Sequence, residues 1–119
     1  MLNLDTHILI DALSGTLSKR EHRLLSSDSW SISSIVLWEL AKLNQLGRIS
    51  LDLDSPEFTR ALGRIRVWPV DMPVSLQSTR LDFASDPADE LIAATSVIHR
   101  VPLLTRDRRI LKSKLVPFA

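Results

Sequence analysis

Four carboxylates stand where a charge needs a reason: Asp5, Glu39, Asp89 and Asp107. Asp5 directly follows the apolar run Met1-Leu2-Asn3-Leu4, and Asp107 lies two residues beyond Leu103-Leu104-Thr105. Glu39 interrupts Ile35-Val36-Leu37-Trp38-Glu39-Leu40-Ala41, a stretch otherwise too apolar to face water. A bare charge buried there is costly unless it is neutralised, paired or metal-bound. Asp89 follows Asp86-Pro87-Ala88, in the first turn of the expected helix, where amide groups and the helix dipole favour an anion. Brought together, such groups repel: two unit charges ~4 Å apart at an effective dielectric of ~20 oppose each other by roughly 4 kcal/mol. Hard divalent cations relieve that repulsion. An all-carboxylate set selects Mg2+, with Mn2+ as its substitute, over zinc. The chain has no cysteine, which excludes thiolate sites and disulfides, and His7, His22 and His99 show no ligand spacing.

Each acid also has a local role open to it. Asp5 and Asp107 can cap the helices that follow them, and Glu39 can pair with Lys42 one turn on. Asp89 can be the third-position acid of a capping box begun by Asp86. A common site therefore depends on whether the elements bring all four together.

Those elements can be read from apolar periodicity and helix punctuation. Leu2 to Leu4 reads as a strand, followed at once by a helix from Thr6 to Leu13 and a charged helix from Lys19 to Leu25. Trp30 to Ser33 alternates as a short strand, and Ser34 is placed to cap a helix from Ile35 to Leu46, ended by Gly47. Pro56 opens a helix through Arg64, Val67 to Val70 reads as a strand, and Asp71 caps a segment from Pro73 to Phe83. Asp86 and Pro87 start a helix running to His99; Pro102 to Thr105 is the last strand, with a short basic helix after it. This alternation predicts an α/β fold: a central parallel sheet of about four or five short strands flanked by helices in three layers. Ligands of such sheets bind beyond the carboxyl ends of the strands, where Asp5 and Asp107 stand.

Composition sets the frame. The 119 residues, 45% hydrophobic and 24% charged, suit one domain spanning residues 1–119. The apolar stretch Ile8 to Leu13 is short and interrupted by Asp11, with no basic residues before it, so it is neither a secretory signal nor a membrane span; a soluble, cytoplasmic protein is expected. The net charge of +1 is unevenly distributed. Residues 82–90 carry only acids among their charged side chains, whereas residues 99–119 hold Arg100, Arg106, Arg108, Arg109, Lys112 and Lys114 against Asp107 alone. A basic tail beside an acidic knot suits a phosphate-bearing partner approaching a cation site. Arg106, Arg108 and Arg109 are candidates for positioning a phosphate backbone. Trp30, Trp38 and Trp68 are a generous apolar supply for a small chain, with Trp38 expected in the core and some of the remainder available to a partner.

Leu4-Asp5-Thr6-His7, Ser33-Ser34-Ile35-Val36-Leu37-Trp38-Glu39-Leu40, Asp86-Pro87-Ala88-Asp89 and Leu103-Leu104-Thr105-Arg106-Asp107 occur in an order that resembles the PIN-domain ribonucleases, and in particular the VapC-type toxins of toxin-antitoxin pairs. The likeness covers essentially the whole chain. It implies a PIN-like fold and a magnesium-dependent endoribonuclease that cleaves RNA by metal-activated water. In it Asp5, Glu39, Asp89 and Asp107 form the catalytic and metal-binding set, with Thr6 and Thr105 as hydroxyl neighbours. It further implies a cognate antitoxin seated in a groove of the toxin, and a homodimer. Two positions depart from the family pattern: Ala88-Asp89-Glu90 stands where Phe-Asp-Arg is usual, and Arg108-Arg109-Ile110 lacks the aromatic usual after the last acid. Two other functions fit parts of the pattern, a non-catalytic PIN-like module binding RNA or protein, and an aspartyl phosphatase. The phosphatase needs a second acid two residues after Asp5, where this chain has His7.

Overall fold

The computed structural model describes residues 1–119. Its elements run β1 (Leu2–Leu4), α1 (Thr6–Ser14), α2 (Lys19–Ser26), β2 (Trp30–Ser33), α3 (Ser34–Gln45), α4 (Pro56–Leu62), β3 (Arg66–Trp68), α5 (Met72–Ser78), α6 (Pro87–His99), β4 (Leu103–Leu104) and α7 (Arg108–Leu111). The four strands form one parallel sheet in the order β3-β2-β1-β4, so the chain builds outward from β1 on one side and then returns to add β4 on the other. That reversal leaves a crevice at the carboxyl ends of β1 and β4, the position where open parallel sheets bind ligands.

Burial on both faces explains why the strands are so apolar: Leu2, Leu4, Ile32, Leu103 and Leu104 lie in one core cluster with Ile8, Leu9, Val36, Leu40 and Ile92. Asn3 is the polar exception, fully buried in β1. Its amide donates to the Ile92 carbonyl at 3.2 Å and to the Ser96 hydroxyl at 2.9 Å, tying β1 to α6. The open side of β4 is covered by the chain's own end, with Leu103 N–H donating to the Pro117 carbonyl at 2.9 Å and Ala119 N–H to the Leu103 carbonyl at 3.1 Å. No edge is left free there to pair with another chain.

Several expected boundaries move. Ser33, not Ser34, caps α3, accepting from Ile35 N–H at 3.3 Å, while the Ser34 hydroxyl accepts from Val70 N–H. β3 starts at Arg66 because it pairs Ser31 with Arg66 and Ser33 with Trp68, which leaves Val70 beyond the ladder. α5 stops at Ser78 rather than Phe83, its last turn closing through Thr79 and Arg80 onto the Leu76 and Gln77 carbonyls. The larger correction is Trp38, which is 56% exposed and outside the core. α3 buries Val36 and Leu40, one turn apart, and a residue two positions from Val36 points to the far side of a 3.6-residue helix. Trp68 is partly buried instead, stacked on His99 with centroids 3.9 Å apart and capped by the Arg66 guanidinium at 4.0 Å.

Candidate active site

Asp5 directly follows β1 and Thr105 directly follows β4, and the parallel register that aligns Leu4 with Leu104 puts these two side by side. Asp5 N–H donates to the Leu104 carbonyl at 3.1 Å, and the Thr105 hydroxyl donates to one Asp5 carboxylate oxygen at 2.6 Å. The other Asp5 oxygen accepts from Thr6 N–H at 2.8 Å, so the capping role is real and coexists with placement at the crevice. Thr105 also accepts from Asp107 N–H at 3.0 Å, which bends the chain after β4 and sets Asp107 beside the same opening. Asp107 in turn caps α7, one oxygen accepting from Arg109 and Ile110 N–H at 2.8 and 3.2 Å.

Glu39 and Asp89 arrive from α3 and α6. The alternative Glu39–Lys42 pair does not form: Lys42 bonds Gln45, whereas Glu39 accepts a short hydrogen bond from the Thr6 hydroxyl. The capping-box explanation of Asp89 fails as well. Asp86 makes no side-chain cap, and Asp89 accepts from the Ser85 hydroxyl at 2.9 Å. Asp5, Glu39, Asp89 and Asp107 thus line one open cleft of about 560 Å³, together with His7, Arg48, Asp86 and Arg106.

The electrostatics show that the acids sense one another. Burial pushes the Glu39 carboxyl above its usual range, against the opposing Thr6 hydrogen bond, and the charges of Asp89 and Asp5 push it further. Asp89 is likewise raised, first by burial and then by Asp5, Asp107 and Asp86, with Ser85 opposing. This is the expected behaviour of like charges that share a partly buried cleft.

The donor set fits a hard divalent cation. Glu39, Asp89 and Asp107 each have one oxygen anchored by the protein and the other without a hydrogen bond. No three acids or histidines converge closely enough to hold an ion by direct bonds alone. Magnesium tolerates that, since it usually keeps several waters and takes only one or two carboxylates directly.

Arg106 differs from its expected role on a phosphate backbone. Its guanidinium donates twice to Glu21 at 2.7 Å and once to Asp11, bridging α1 and α2 to the loop that carries Asp107. Arg106 holds the Glu21 carboxyl down to about 2 and also lowers Asp11. Arg108 and Arg109 are exposed and do not line the cleft. Two further cleft residues carry sequence signals that point elsewhere, Asp86 to a helix cap and His7 to no ligand spacing. The signal for Arg48 was its place directly after the helix-ending Gly47.

Comparison with known proteins agrees with this architecture. The PIN domain family model matches residues 3–114. Ribonuclease VapC22 of Mycobacterium tuberculosis is 32% identical over 87 residues, covering 71% of this chain and 67% of that protein. Among solved structures, VapBC2 from Rickettsia felis bound to a promoter DNA fragment aligns with a TM-score of 0.73 at 17% identity, over 100% of this chain and 98% of the other. A toxin-antitoxin complex from Klebsiella pneumoniae aligns at 0.72 and 21% identity, over 94% and 91% of the two chains. FitAcB from Neisseria gonorrhoeae aligns at 0.70 and 24% identity, over 100% and 97%. At these identities the structural matches speak for the fold, and the family match for descent: this chain belongs to the PIN domain family.

Proposed function

We propose that this protein is a magnesium-dependent endoribonuclease, the toxin of a toxin-antitoxin pair, acting in the cytoplasm with Asp5, Glu39, Asp89 and Asp107 as its active site. The observation that carries this reading is the common cleft: four carboxylates from the end of β1, α3, α6 and the loop after β4 line it, and those of Glu39 and Asp89 are raised, first by burial and then by the charges of neighbouring acids. The name of its relative, a ribonuclease, supports RNA as the substrate.

When bound, Mg2+ or Mn2+ supplies a Lewis acid for a phosphodiester oxygen and lowers the pKa of attacking water. Asp5, Asp89 and Asp107 would hold the ion, in part through its bound waters, with Glu39 acting directly or through water. The hydroxyls of Thr6 and Thr105 fix the orientation of Glu39 and Asp5, as outer partners do for metal-binding carboxylates. Asp107 is held still by two helix amides, and Asp89 by Ser85.

A cognate antitoxin and a homodimer are part of the same proposal. The solved Klebsiella pneumoniae structure named as a toxin-antitoxin complex supports it, as does uncovered apolar surface: Trp38 within α3 and Leu46 just after it are 56% and 62% exposed, and Met72 of α5 is 69% exposed. Leu13, Trp30, Ala61 and Ile65 line a further, mainly apolar pocket.

Incubating the purified protein with structured RNA tests the reading. Discrete internal cleavage is expected with Mg2+, abolished by EDTA and restored by Mn2+. RNA left intact with either metal, or cut equally in EDTA, would overturn it.

A further inference from the structure

An acidic cleft that takes a polyanion through its metal ion holds the strand more firmly with a cationic side chain beside that ion. Two arginines line this one, Arg48 and Arg106. Arg106 is already committed, with its guanidinium divided between Glu21 and Asp11. Arg48 is exposed and takes part in none of the ion pairs of the fold.

The end of α3 builds the position of Arg48. Gly47 adopts a left-handed conformation with φ of 71°, which a residue with a side chain seldom takes. Arg48 N–H donates to the Leu43 carbonyl at 2.9 Å and Gly47 N–H to the Asn44 carbonyl at 3.1 Å, the paired closing bonds of a Schellman motif. Leu43 lies one turn beyond Glu39, and both line the cleft. The turn therefore returns the chain toward the face that carries Glu39. The Asn44 amide, oriented to donate, reaches the Ile49 and Leu51 carbonyls at 3.2 and 3.1 Å and fixes the segment that follows.

We propose that Arg48 is the phosphate-binding residue of the cleft, positioning an RNA strand against the four carboxylates. The inference rests on the ribonuclease reading and adds to it a residue outside the acidic set. A guanidinium suits the role because its planar fork meets a phosphate through two hydrogen bonds and keeps its charge throughout the working pH range.

Steady-state cleavage of a short fluorescein-labelled single-stranded RNA in Mg2+ tests it. Arg48→Ala is expected to raise KM about tenfold, the size of a charge-assisted hydrogen bond, with kcat within about twofold of wild type. Arg48→Lys should recover most of the loss, and Lys42→Ala, which changes an exposed cation of α3 outside the cleft, should behave as wild type. The slope of log(kcat/KM) against log salt should become shallower by ~0.7, the value of one phosphate contact on a single strand. An unchanged KM and slope, or a loss confined to kcat, would overturn the proposal. Fluorescence anisotropy with the same RNA reads Arg48 without turnover. Weaker binding by Arg48→Ala supports the assignment and equal binding overturns it, whereas a wild-type chain that binds without cutting contradicts the ribonuclease reading instead.

Discussion

Asp5→Asn should lower the rate of RNA cleavage by on the order of 10³-fold while leaving the fold intact, because it removes a charge from the ion site and keeps the shape. Asparagine retains one carbonyl oxygen that can still accept from Thr6 N–H or from the Thr105 hydroxyl, so the junction of β1, α1 and β4 survives. Single-turnover rates together with a thermal melt separate the two effects. The expected pattern is a melt within a few degrees of wild type beside a nearly inactive protein. Activity within about tenfold of wild type would mean that Asp5 is chiefly the cap of α1, since loss of an outer-sphere partner costs about that much.

The second large effect is a coupling of stability to pH and metal. Glu39 and Asp89 titrate above their ordinary values in the folded chain, Glu39 because of burial and then Asp89 and Asp5, Asp89 because of burial and then Asp5, Asp107 and Asp86. The folded chain therefore retains protons that the unfolded chain has released. The stability these two groups contribute is complete below their ordinary values of 4.5 and 3.8 and is lost as pH rises through the raised folded values. Glu21 works in the opposite sense. Arg106 lowers it to about 2, so its contribution is present above its ordinary value of 4.5 and is lost as pH falls toward that lowered value.

Metal-free protein should consequently lose melting temperature as pH rises above the ordinary values of 4.5 and 3.8 for Glu39 and Asp89, and the double variant Glu39→Gln, Asp89→Asn should lose less. At neutral pH, Mg2+ or Mn2+ at about 100 times its Kd should restore ~2.7 kcal/mol, a rise on the order of 10 °C for a chain of this size. Scanning calorimetry with and without EDTA checks both. A melting temperature that rises steadily with pH above those values in metal-free protein, or ignores the ion, would contradict the shared-cleft electrostatics.

Asp5 and Asp107 were legible in the sequence because their positions are fixed by local order: an acid just past an apolar strand in a parallel α/β chain lies at the ligand edge. Glu39 was flagged by its apolar context, yet the same context misled for Trp38. Hydrophobicity along a helix does not by itself say which stripe faces inward, and here Val36 and Leu40 take the core while Trp38 is left outside. Asp89 had a good local explanation that the fold does not use, since Ser85 rather than the first-turn amides holds it. What could not be read was long-range pairing. Arg106 meets Glu21, 85 residues earlier, and nothing in the spacing distinguishes that partner from the other acids. The same unreadable pairing hid Arg48, whose freedom to bind a phosphate is evident only once Arg106 is seen to be engaged elsewhere.

Whether the cleft is a carboxylate site for a divalent cation is addressed most directly by Mn2+ titration in isothermal calorimetry. Wild-type protein should bind Mn2+ with measurable heat, and Asp5→Asn should bind at least about tenfold more weakly. No binding by the wild type, or equal binding by both proteins, would contradict such a site.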